Sequence, residues 1–107
     1  MKLLHLPFAA PLLLLAALVV TDPAIAGCRE DHLAADQALR KARASIEKTA
    51  LGTDAARCAS YRRYLSALSG QREVIARCDT GPNQAQNVQA IDTEIATFAQ
   101  RMRNLCK

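Results

Sequence analysis

Four cysteines, Cys28, Cys58, Cys78 and Cys106, fall at the ends of long helical stretches, and that placement leaves the chain few folds to adopt. The hydrophobic period beyond residue 27 is helical throughout, with no sustained period-2 alternation of the kind a half-buried strand shows. The last stretch is the clearest. Val88, Ile91, Ile95, Phe98, Met102 and Leu105 recur at alternating spacings of three and four, which predicts a helix over about 83–106. Asn83 is the expected cap, with Gln86 in the capping-box position, and Gly81-Pro82 stops whatever precedes it. His32, Ala35, Leu39, Ala42, Ile46 and Thr49 follow the same rhythm and predict a first helix over about 29–51, closed by Gly52 at C′. A second helix over about 54–78 follows, capped by Thr53 or Asp54. Its expected inward residues are Cys58, Tyr61, Leu65, Leu68, Ile75 and Cys78. Ser69-Gly70 is its weak point and the place for a kink, because glycine costs ~1 kcal/mol relative to alanine inside a helix.

Helices of this length reach roughly 35 Å at ~1.5 Å rise per residue, and connections of a few residues force neighbours to run antiparallel. The expected fold is all-α, a small up-down-up three-helix bundle. The same period also suits a coiled coil between chains, but short glycine-containing turns favour the intramolecular bundle. Four cysteines allow three pairings, and the helix layout selects one. Cys28 starts helix 1 and Cys78 ends helix 2, so both lie at one pole. Cys58 starts helix 2 and Cys106 ends helix 3, at the opposite pole. Disulfides need Cα atoms within ~7 Å. Cys28–Cys78 and Cys58–Cys106 are therefore expected. The runner-up, Cys58–Cys78 with Cys28–Cys106, needs helix 2 to fold back at Ser69-Gly70.

Residues 1–26 read as a cleavable signal peptide. Lys2 supplies a positive start, Leu12 to Val20 an unbroken apolar run, and Thr21-Asp22-Pro23 a helix break. Ala24-Ile25-Ala26 forms a small-x-small cleavage site, so the expected domain is 27–107. The apolar run is shorter than the ~20 residues a membrane span needs, and no transmembrane segment is expected in the mature chain. Ile25-Ala26-Gly27-Cys28 also resembles a lipobox. That alternative anchors the protein through a lipidated Cys28 and strands one of the other three cysteines. Export to a bacterial periplasm or beyond suits both the leader and the disulfides.

Roughly 81 residues remain after cleavage, enough for one domain with a thin core. Tyr61, Tyr64 and Phe98 are its only rings. The formal net charge of +4 is mild and argues against nucleic acid as a partner. It is distributed unevenly. Folding brings Lys48, Arg57, Arg62 and Arg63 to the same pole as Arg101, Arg103 and Lys107. The opposite pole mixes Arg29, Glu30, Asp31, Arg72, Glu73, Arg77 and Asp79 to near neutrality. A one-sided positive end favours an anionic envelope component or an acidic protein surface.

Catalytic constellations are thin. His32 with Asp36 at i+4 is the one pairing that suggests a small hydrolase, and it is better read as a boundary residue closing the core. Asp79-Thr80-Gly81 spells the aspartic-protease tripeptide, but such enzymes supply it twice on β-loops, and here it reads as turn chemistry. There is no C-x-x-C, no clustered zinc ligand set and no phosphate-cradling loop, so neither metal nor cofactor is expected. The expected function is binding of an anionic partner through the basic pole, with Arg57, Arg62, Arg63, Arg101, Arg103 and Lys107 as candidate residues.

Overall fold

Local chemistry at the helix ends sets three elements in the computed structural model, which describes residues 27–107. The leader and its cleavage site lie outside the described residues. The elements are α1 (Cys28–Thr49), α2 (Asp54–Cys78) and α3 (Gln84–Leu105). Among the described residues all regular structure is helical. Thr53 caps α2 as expected, its hydroxyl accepting from the Ala56 N–H at 3.1 Å. Asp54 then sits in the first turn, where a negative charge favours the helix N-terminus.

Two end signals differ from expectation. Gly52 is not left-handed; instead its N–H closes a turn onto the Thr49 carbonyl at 2.8 Å. A Cβ there would sit 3.2 Å from that same oxygen, so the glycine serves close approach rather than a C′ conformation. Asn83 forms no capping hydrogen bond, and the Asn83–Gln86 box is absent. Its backbone is already helical (φ −89°, ψ −8°), whereas a capping side chain reaches the first N–H groups from an extended backbone. The start of α3 is tied to α2 instead. Gln84 donates to the Ala76 carbonyl at 2.7 Å and Asn87 to the Asp79 carboxylate at 3.2 Å. Gly81, at φ 99°, supplies the left-handed residue this turn requires.

α2 runs as one continuous helix through Ser69-Gly70, so the chain does not fold back there as the runner-up pairing needs. The disulfides are Cys28–Cys78 and Cys58–Cys106, with Cα separations of 5.6 and 5.3 Å. Each clamps one pole, and together they require antiparallel neighbours. The bonds span 50 and 48 residues. For loops of that size chain entropy gives ~4 kcal/mol of stabilisation each, as an upper figure.

The three rods are not equivalent. α1 and α3 both pack on α2, and no Cα of one lies within 8 Å of a Cα of the other. The core is Leu39 and Ala42 from α1 with Tyr64 and Leu68 from α2, flanked by Ile46, Ala67, Ile95 and Phe98. The six apolar positions of α3 are all half-buried and none is fully covered, as befits a helix with a single neighbour. α2 faces two neighbours, and its burial is correspondingly broad. Ser60, Tyr64 and Val74 are buried there although the simple 3–4 rhythm does not select them. Ser60 is tolerated because its hydroxyl lies 2.8 Å from that of Thr49 and 3.1 Å from that of Ser45 on α1. No helix among the described residues is long and apolar enough to cross a membrane.

Candidate functional site

Charge is handled differently at the two poles. At the Cys28–Cys78 end, cations are matched by carboxylates across helices. Arg77 bonds Asp31, and Arg72 grips Asp92 through two bonds of 2.5 and 3.2 Å. The Arg72 hydrogen bond holds the Asp92 carboxyl below its usual value, against a smaller opposing effect of desolvation. His32 Nε2 lies 3.3 Å from Asp79 Oδ1. Its partner is thus the turn carboxylate and not Asp36, which is exposed on α1. Asp79 in turn also accepts from Asn87, so Asp79-Thr80-Gly81 acts as a helix connector. Among the described residues no group of three histidine, cysteine or acidic side chains could hold a metal ion.

The Cys58–Cys106 end carries the candidate binding residues, and they do not form one patch. Arg57 and Arg101 come together, on α2 and α3, as walls of one groove of about 360 Å³ that Tyr61, Asn104 and Leu105 complete. Arg101 lies over the Phe98 ring, 5.0 Å from its centroid. Arg57 has only a long 3.6 Å pairing with Asp54, whose carboxylate is largely in water. Arg63 is separated from this pair: with Lys41 it flanks a different groove, between α1 and α2, floored by Ala38, Ala42 and Ala67. Arg62, Arg103 and Lys107 are exposed. Antiparallel packing sets the α2 N-terminus against the α3 C-terminus here. Their opposite partial charges offset one another, so the guanidinium groups supply the field.

Sequence reasoning missed the aromatic side of this site. Because α1 and α3 stand apart, a gap between them is floored by α2, and all three rings of the described residues meet there. Phe98 lies 4.5 Å from Tyr64 and 5.7 Å from Tyr61 between ring centroids, tilted in both cases. Tyr64 is buried and its hydroxyl donates to Glu94 at 2.5 Å, while Arg43 donates weakly to it at 3.5 Å. Burial first, and the Glu94 bond second, push the Tyr64 hydroxyl above its ordinary pKa. The available signal was scarcity: three rings in a chain built from Ala, Leu, Ile and Val, spaced to share one level of the bundle.

No protein-family model, curated protein or solved structure matches this chain.

Proposed function

We propose that this is a small exported, disulfide-bonded helical protein of the bacterial envelope that acts by binding an anionic partner through its basic pole. The leader would be removed near Ala26, leaving a periplasmic or secreted domain. The observation that carries the reading is the convergence of Arg57 and Arg101 on one groove beside the Cys58–Cys106 bond, with Arg103 and Lys107 exposed. Two guanidinium groups with few competing carboxylates suit phosphate or carboxylate groups, which arginine holds in a planar fork. The partner is an acidic envelope component or an acidic protein face.

Two alternatives are less well supported. Anchoring through a lipidated Cys28 needs the sulfur that bridges to Cys78. A hydrolase built on His32 and Asp36 lacks its dyad, because His32 pairs with Asp79.

The test is co-sedimentation of the oxidised protein with vesicles containing anionic lipid, beside zwitterionic controls and across a salt series. Binding should require negative charge, weaken with salt, and fall at least tenfold when Arg57, Arg62, Arg63, Arg101 and Arg103 are replaced by glutamine. Equal binding by that variant would remove the basic pole from consideration.

A further inference from the structure

The groove at the basic pole continues inward. It shares Arg57 and Tyr61 with a hollow of about 90 Å³ that reaches Ile46 and Thr49 on α1. That hollow shares Ile46 with a third, of about 210 Å³, walled by Phe98 on α3 and floored by Tyr64. By these shared residues the three adjoin one another over α2 as one stepped cleft: the first hollow lies between α2 and α3, the second between α1 and α2, and the third where all three helices meet. Its floor and sides are Ile46, Tyr61, Tyr64, Phe98 and Leu105. Its outer end carries Arg57 and Arg101, and its inner end carries Arg43 beside Glu47, with Glu94 bonded to Tyr64.

We infer that this cleft binds a single-chain anionic amphiphile of the medium-chain fatty-acid class. The carboxylate lies at Arg57 and Arg101, and the alkyl chain runs over Tyr61 toward Tyr64 and Phe98. The inference rests on the basic-pole reading and specifies its ligand. Charge balance sets the direction: two guanidiniums at the outer end attract a carboxylate, whereas at the inner end the one guanidinium, Arg43, stands against Glu47 and Glu94. Arg57 is available because its pairing with Asp54 is long and solvated. The floor suits an alkyl chain because its hydroxyls are already engaged: that of Tyr64 by Glu94, and that of Thr49 by Ser60 and the Ser45 carbonyl. A second copy of this chain would bring its own arginines to the same mouth, which like charge disfavours.

The chain has two tyrosines and no tryptophan, and both tyrosines line the cleft. Intrinsic tyrosine emission therefore reports the site directly. Titration of the oxidised protein with decanoate below its micelle concentration should give a saturable change, while acetate gives none. Affinity should rise about two- to fourfold for each methylene from hexanoate to decanoate, the increment expected for partly to fully buried CH₂ groups. Decanol and the R57Q/R101Q variant should each bind at least tenfold more weakly. Equal affinity for decanol, no chain-length dependence, or an unaffected double variant would overturn the inference. So would concentration-dependent self-association that blocks the decanoate response, which would assign the cleft to a second copy. Vesicle binding without decanoate binding would overturn this inference alone, and loss of both would overturn the basic-pole reading with it.

Discussion

Tyr64 brings a hydroxyl into a place largely closed to water, and its surroundings account for both its tolerance and its pH behaviour. The hydroxyl donates to Glu94 and accepts from Arg43, so one residue of α2 links side chains of α1 and α3 across the gap between them. Tyr64→Phe should cost about 1.5–3 kcal/mol in urea unfolding at pH 7, the usual range for a hydrogen bond to a charged group. The pH dependence has a definite sign. The folded state holds the Tyr64 proton more tightly than the unfolded chain does, so this stabilisation is complete below pH ~10. It is lost as pH rises through the raised folded value. The difference between wild type and Tyr64→Phe should therefore shrink on the alkaline side, measured as unfolding free energy between pH 8 and 12. Leu68 is fully buried beside Tyr64. Leu68→Ala should cost between about 2 and 5 kcal/mol, set by how far the three helices can close over the missing volume.

Among the elements, legibility tracks the number of neighbours. α3 packs on one partner, and every residue of its Val88-to-Leu105 stripe is half-buried while most positions between are exposed. α1 is similar, with Leu39 and Ala42 at the centre of its stripe. α2 packs on both, so its buried residues spread beyond one stripe, and Ser60, Tyr64 and Val74 escape a reading based on a single face. The candidate site divides in the same way. Helix lengths alone suggest which basic residues lie toward one pole. Which of them share a groove depends on rotation about α2, and that rotation puts Arg57 with Arg101 but Arg63 with Lys41. Gly70 tests the continuity of α2. It is helical, and a Cβ there would meet nothing within 4 Å. Gly70→Ala should raise stability by roughly 0.5–1 kcal/mol in thermal or urea unfolding, whereas a kinked helix would lose stability. Thr53→Ala should act in the opposite direction, costing ~1 kcal/mol through the lost cap.

For the whole molecule, an open arrangement with few fully buried side chains is held at both poles by sulfur. A domain this size has a stability of about 5–15 kcal/mol, so two bonds worth up to ~4 kcal/mol each are a large share of it. Cys58→Ser/Cys106→Ser should lower the unfolding free energy by up to ~4 kcal/mol and loosen the α2–α3 end where Arg57 and Arg101 meet. Tyrosine emission would then change without ligand. The clamps hold α1 and α3 against α2 at opposite poles, Cys58–Cys106 beside the groove of Arg57 and Arg101, and they require oxidation with Cys28 bridged rather than lipidated. The most direct test is non-reducing peptide mapping, with intact mass, of the protein recovered from its natural compartment. The expected result is a mass beginning at Gly27 with Cys28–Cys78 and Cys58–Cys106 peptides linked. A Cys58–Cys78 peptide, free thiols, or an acylated Cys28 would contradict it.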